Sequence, residues 1–187
     1  IVGLGIGYVF TFLVTRNYGA ECWGIFSISY SALAFANLVG RFGLDTSLVK
    51  YVAEYMAKNN EEAVKALYKR VFIFILPISL FLSIVMYFSS PLISEKIFHK
   101  IHLIPYLKLI SFGFVPMVIL FINSSFLRGL KDIKAHIFTQ YISNFLFALI
   151  IFEGLYLFDF GQMSAVLSFV LGIILSCLLS FVNITKW

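Results

Sequence analysis

The stretch GRFGLDTSLVKYVAEYMAK, Gly40–Lys58, is the longest charged segment in a chain that is otherwise close to continuous apolar helix. Asp45 is placed to accept a backbone N–H and cap a helix beginning at Thr46. From there Leu48, Val52 and Tyr55 make one apolar stripe, while Lys50, Glu54 and Lys58 face away. The pattern predicts an amphipathic helix over residues 46–58 lying on a membrane surface, as a joint between spans. Arg41, Lys50, Lys58, Lys65, Lys69 and Arg70 all fall between the second and third apolar runs, and they mark the side of this joint as cytoplasmic.

Composition agrees. The 187 residues are 61% hydrophobic and only 12% charged, with a mean hydropathy of +0.98, far from the roughly 25% charged content of soluble domains. The apolar runs approach the ~20 residues a helix needs to cross ~30 Å of hydrocarbon. Barrel-like alternation is absent. The fold class is therefore an all-α membrane protein, a bundle of six transmembrane helices. The net charge of +5 reads as loop positives facing an anionic leaflet, with membrane lipids as partners and no nucleic acid. Cys22 and Cys177 belong to different spans, with no Cys-x-x-Cys pair and no His at ligand spacing, so neither a metal nor a cofactor is expected.

The expected spans are residues 1–15, 22–42, 71–89, 105–127, 135–158 and 163–184, in one domain over 1–187. The first run lacks an initiating Met and is short for a complete span, which predicts a truncated N-terminus. Its Gly3, Gly7, Thr11 and Thr15 recur every four residues and predict close helix packing. GLGIG at Gly3–Gly7 is no dinucleotide fingerprint, because its glycine spacing is wrong and no strand precedes it. A polar turn, Arg16–Glu21, leads to the second span, with Gly24, Ala32, Ala36 and Gly40 along one face. Asn59 and Asn60 interrupt the helical pattern, and Glu61 and Glu62 suit the first turn of the helix that becomes span 3. There Pro77 predicts a kink, and Ser89–Pro91 the end. Span 4 carries Pro116 and the polar run Asn123–Ser125, which predicts a bent helix bordering a cavity or a tight contact. Span 5 aligns His136, Gln140, Ser143 and Asn144 on one inward face. After a turn at Asp159–Gln162, span 6 repeats small residues at Ser164, Ser168, Gly172, Ser176 and Ser180.

The joints after spans 2, 4 and 6 hold ten basic residues, namely Arg41, Lys50, Lys58, Lys65, Lys69, Arg70, Arg128, Lys131, Lys134 and Lys186. Arg16, Lys96, Lys100 and Lys108, four in all, fall on the other side. Both ends of the segment are therefore expected on the cytoplasmic side.

Three segments resemble the polysaccharide exporter family, the flippases for O-antigen and related lipid-linked sugars in the multidrug/oligosaccharidyl-lipid/polysaccharide superfamily. TRNYGAECWGIFSIS from Thr15 is similar to the family's Arg-x-Leu-Gly and Gly-x-Phe-Ser segment, with Tyr18 in place of the Leu. RFGLDTSLVKYVAEY from Arg41 resembles its Gly-Leu-Asp plus Val-x-x-Tyr-x-Ala-Glu joint. FLRGLKDIKAHIFTQYI from Phe126 resembles its Leu-Arg-Gly loop, so Asp45, Arg128 and Gly129 are motif positions. The resemblance implies one six-span lobe of a two-lobed transporter, the second lobe being absent from this chain. It further implies alternating access that moves an undecaprenyl-diphosphate-linked oligosaccharide from the inner to the outer leaflet of a bacterial or archaeal cytoplasmic membrane. Polysaccharide polymerases and glycosyltransferases are the implied partners.

On that reading Arg16 and Arg41 are diphosphate contacts near the outer and inner mouths, through paired hydrogen bonds from guanidinium to phosphate. The alternative has both snorkelling to headgroups. Asp45 fits a cap better than a substrate group, and Arg128, Lys131 and Lys134 fit positive-inside anchors. Gln140 and Asn144 could meet sugar hydroxyls or bond between helices. Glu153, an acid inside span 5, suits ion coupling or reaches the outer interface. No nucleophile or acid–base set appears at informative spacing, so an enzyme is not expected. A multidrug and toxin extrusion transporter remains the alternative within the superfamily. A membrane glycan polymerase or ligase is less favoured, because the outward loops are short.

Overall fold

The computed structural model describes residues 2–158 and 160–185. Ile1, Asp159, Lys186 and Trp187 lie outside the described residues, and with them the start of the expected span 1, the first residue of the turn before span 6 and the charge at Lys186. Helices α1 (Val2–Gly40), α2 (Leu44–Ala57), α3 (Glu61–Leu92), α4 (Ile104–Ser111), α5 (Phe114–Gly129), α6 (Ile133–Ile137), α7 (Ser143–Leu157) and α8 (Ser164–Ile184) make up the chain, with short π- or 3₁₀-turns between some of them. No strand occurs among the described residues. Four stretches are long and apolar enough to cross a membrane, and a fifth arises if Ile101–Ser111 and Phe114–Gly129, bent by 45°, form one span. The chain is a multi-pass membrane protein.

One of those stretches, Gly5–Gly40, is not a single rod. Gly19 leaves helical geometry at φ 84 and ψ 173, a conformation that glycine reaches without a Cβ clash. The rings of Phe10 and Phe26 then lie 5.4 Å apart, whereas a continuous helix would hold those positions about 24 Å apart. So α1 folds back at Gly19 into two arms. The polar turn expected over residues 16–21 contracts to that one residue.

Proline departs from expectation at Pro91 in span 3, and bends span 4 as expected. Helix α3 runs unbroken through Pro77 and Pro91 and passes into a π-turn at Ile93–Ile97, instead of ending at Ser89–Pro91. At Pro91 the missing N–H frees the Tyr87 carbonyl, and Ser90 Oγ donates to it at 2.7 Å. In span 4 the chain breaks between Ser111 and Phe114, where the Phe112 carbonyl would have needed the N–H that Pro116 lacks. Ser83 Oγ reaches across from α3 to the Ser111 carbonyl at 2.8 Å, so the break is tied to its neighbour.

The joint also differs. Helix α2 starts at Leu44, after Gly43 in the left-handed region at φ 73, and no side chain caps it. Asp45 sits in the first turn and pairs with Arg41 instead. The stripe residues Leu48 and Val52 are buried within the protein, so this part of the apolar face meets α5 and not lipid. A Cβ at Gly129 would lie 2.8 Å from the Val52 Cβ, which explains why the end of α5 takes glycine. The outer face of α2 carries the exposed pair Lys58–Glu54 at 2.7 Å, which lowers the Glu54 pKa and raises that of Lys58. Asn60 caps α3 by accepting from Ala63 N–H, and Asp132 caps α6 by accepting from Ala135 N–H.

Helices α7 and α8 close most tightly. Ser164, Ser168, Ser176 and Ser180 are fully buried. A Cβ at Gly172 would lie 2.8 Å from the Ala148 nitrogen and 2.9 Å from the Asn144 carbonyl oxygen. Beside this seam Phe10, Phe26, Phe152 and Phe169 form a buried aromatic core that holds the arms of α1 to α7 and α8.

Candidate functional site

Three places bring polar chemistry together. The first is the joint. Arg41 Nη1 donates to Asp45 Oδ2 at 2.8 Å, its Nε donates to the Asn37 carbonyl at 3.3 Å, and its guanidinium stacks 4.3 Å from the centroid of the Phe121 ring. The side chains of the pair are 15% and 27% exposed, so the contact is partly shielded from water and binds span 2 to α2 and α5. Asp45, Thr46, Val49, Lys50, Ser125 and Arg128 line a cleft of about 270 Å³ next to it. Among the proposed site residues, Arg41, Asp45, Arg128 and Gly129 therefore gather at one joint.

The second place is the interior between α5, α6 and α8. Tyr68 donates to Asn123 Oδ1 at 2.8 Å, and Asn123 Nδ2 donates to Ser180 Oγ at 2.7 Å. Ser124 Oγ lies 2.8 Å from His136 Nδ1 and donates to Gln140 Oε1 at 3.0 Å. Asn183 Nδ2 donates to Thr139 Oγ1 at 3.3 Å. The inward face predicted for span 5 is thus real, and the polar run of span 4 is its partner. The backbone there is a π-turn, Phe138–Ile142, which re-aims these side chains by widening one turn. Gln140 accepts from Ser124, and Asn144 is 8% exposed against α8 with its side-chain Oδ1 unpaired among the described residues.

The third place is a cleft of about 500 Å³ between the two arms of α1, lined chiefly by Tyr8, Thr11, Trp23, Ser27, Tyr30 and Ser31. Span 1 carries a small-residue stripe, but only Gly3 packs closely, its Cβ position lying 2.5 Å from the Tyr141 carbonyl oxygen. Nothing stands within 4 Å of a Cβ at Gly7. Trp23, Phe26 and Tyr30 on the facing arm keep the arms apart there.

Arg16 and Glu153 join none of these groups. Arg16 is exposed just before the fold-back at Gly19, and Glu153 is half-buried on α7. Sequence reasoning missed Asn37, which is 1% exposed with both amide atoms unpaired, one turn before Arg41. Its signal was an amide inside an apolar run, where a polar side chain carries a desolvation cost. The aromatic-and-hydroxyl lining of the α1 cleft was also missed, because it exists only once the arms fold back.

The architecture is shared with solved structures. An outward-facing multidrug resistance MATE family transporter of the MOP superfamily superposes with a TM-score of 0.82 at 14% identity, over 97% of this chain and 41% of that one. A MATE protein in the straight conformation gives 0.81 at 16% identity, over 97% and 42%. A mutant MATE protein gives 0.81 at 15% identity, over 95% and 40%. The chain thus spans about two fifths of the length of the structures it matches. No curated protein matches its sequence. The sequence does match the profile of one family along residues 1–187, and with the helical architecture and the basic joint already in hand the chain belongs to the polysaccharide biosynthesis protein family.

Proposed function

We propose that this chain is one lobe of an exporter that carries a lipid-linked oligosaccharide from the inner to the outer leaflet by alternating access. The observation that carries the reading is the family match over residues 1–187. Six crossings follow if the arms of α1 count separately and the bent pair α4–α5 as one, and the distribution of basic residues supports a cytoplasmic joint at Arg41–Arg70. A second lobe completes the cavity, in keeping with the share of each MATE structure that this lobe covers. The physical problem is a polar headgroup crossing ~30 Å of hydrocarbon, which a wet, polar-lined cavity relieves while the prenyl tail stays in lipid. Aromatic faces beside free hydroxyls, as at Tyr8, Trp23, Ser27, Tyr30 and Ser31, suit sugar rings, which are apolar on one face and polar at the rim. At the joint, Arg41 keeps Nη2 for a phosphate oxygen while Nε and Nη1 hold the fold.

The MATE-like architecture favours a second reading, a cation-coupled drug exporter. Deleting the gene separates the two. Accumulation of undecaprenyl-diphosphate-linked glycan on the inner leaflet, reversed by the intact gene, is the expected result. Unchanged glycan export together with heightened sensitivity to cationic drugs would overturn the first reading in favour of the second.

A further inference from the structure

The cleft at the joint lies beside the Arg41–Asp45 pair, and Arg41 is not among its lining residues. It is lined by Asp45, Thr46, Val49, Lys50, Ser125 and Arg128 and measures about 270 Å³. Among the described residues two ion pairs form, Arg41–Asp45 and Lys58–Glu54, so Lys50 and Arg128 bring two positive charges that are in no salt bridge, the Lys50 ammonium lying 5.6 Å from the centroid of the Tyr51 ring. The Asp45 carboxylate on the rim is already held by Arg41 at 2.8 Å. Ser125 is 9% exposed, lines the cleft and has no hydrogen-bond partner among the described residues. In the first turn of α2 the Leu44 and Ser47 N–H groups bond to the Arg41 and Gly43 carbonyls, which leaves those of Asp45 and Thr46 at the positive end of a 14-residue helix. Two cations, two hydroxyls and a helix N-terminus around one small cleft make a site for a phosphate anion. It lies where span 4 ends and the joint helix begins.

We propose that this cleft holds the phosphodiester of an anionic bilayer lipid and so anchors α2 to the surrounding leaflet. A phosphatidylglycerol headgroup presents one net negative charge to Lys50 and Arg128, while Thr46 and Ser125 donate to its free oxygens. Phosphatidylcholine carries the same phosphate but sets a quaternary ammonium against the two cations. The site depends on the chain being membrane-embedded and not on what it exports, so its test uses lipid binding alone.

The experiment measures binding of phosphatidylglycerol and of phosphatidylcholine to the detergent-purified protein by native mass spectrometry. Retention of phosphatidylglycerol over phosphatidylcholine is expected. With each cation near a membrane surface contributing roughly fivefold, Lys50→Gln with Arg128→Gln lowers retention about 25-fold. Lys131→Gln with Lys134→Gln, exposed cations of the neighbouring loop, changes it less than about twofold. Thr46→Val, a single exposed substitution, lowers it severalfold and serves if the double variant does not fold. Equal losses for the two double variants would reduce the effect to diffuse surface charge and overturn the proposal, as would equal retention of the two lipids. Displacement of the lipid by millimolar inorganic phosphate would overturn the lipid assignment by making this a free-phosphate site.

Discussion

The seam between α7 and α8 and the pair of arms in α1 start from the same sequence device and end in opposite structures. Each offers small residues at four-residue spacing, Ser164 to Ser180 in one and Gly3 to Thr15 in the other. Along α8 the facing residues are Asn144 and Ala148, whose backbones come within 2.9 Å of a Cβ at Gly172. Along the first arm the facing residues are Trp23, Phe26 and Tyr30, and a cleft of about 500 Å³ opens. The small-residue stripe allows close approach but does not cause it. The side chains across from it decide whether the result is a zipper or a binding surface.

Putting one substitution in both places tests this most severely. Gly172→Leu drives a branched side chain into the α7 backbone with no flexible atom to yield, an overpacking that costs at least about 3 kcal/mol. The expected outcome is protein that no longer elutes as a single species from detergent. A folded Gly172→Leu protein with an unchanged melting temperature would mean that α7 and α8 slide freely, and the contrast would fail.

Gly7→Leu is expected to behave in the opposite way. Open space meets the new side chain, so folding survives and the melting temperature stays within a few degrees. The cleft is filled, however, and export of lipid-linked glycan at matched membrane level should fall by about tenfold or more if sugars enter there. Full export with a filled cleft would leave this surface to another lobe or to lipid.

Gly3→Ala probes the point where the first arm does close. Its Cβ would meet the Tyr141 carbonyl at 2.5 Å, beside the π-turn Phe138–Ile142. Destabilisation of about 1–3 kcal/mol is expected, read as a melting temperature lowered by roughly 2–10 °C. No change would show that the π-turn gives way at no cost.

How much of this was legible in the sequence depends on how far each feature reaches along the chain. Composition and run length were enough for a helical membrane lobe, and the joint with its Gly-Leu-Asp motif carried the family resemblance. Local chemistry was also legible: Glu61 and Glu62 do open α3, and His136 and Asn144 do point inward. Features decided by a distant partner were not. Asp45 reads as a cap until Arg41 is seen one turn back across the Phe42–Gly43 turn, and the stripe of α2 reads as lipid-facing until Gly129 is found beneath it. Pro91 reads as a helix end because the rescue by Ser90 Oγ is a matter of rotamer and not of residue type. The neighbours of Gln140 and Asn144 were not legible either, because nothing in their own span names Ser124 or α8.

The smallest expected effect is the most discriminating, because it predicts a gain. Gly7 has helical geometry within the first arm and free space around its missing Cβ, so it contributes nothing that alanine would not. Glycine in a helix interior is less favourable than alanine by roughly 0.5–1 kcal/mol, since the unfolded chain has more freedom to lose. Gly7→Ala is therefore expected to raise the melting temperature by up to about 4 °C, with export unchanged because one methyl group leaves most of the cleft open. Thr11 Oγ1 donates to the Gly7 carbonyl at 2.9 Å, and with nothing within 4 Å of the Cβ position the added methyl leaves that bond uncrowded. A fall in melting temperature would mean that the second arm closes onto Gly7 in another conformation of the lobe. The open cleft would then be one state of a moving pair, and the contrast with the α7–α8 seam would concern dynamics as well as the size of the facing side chains.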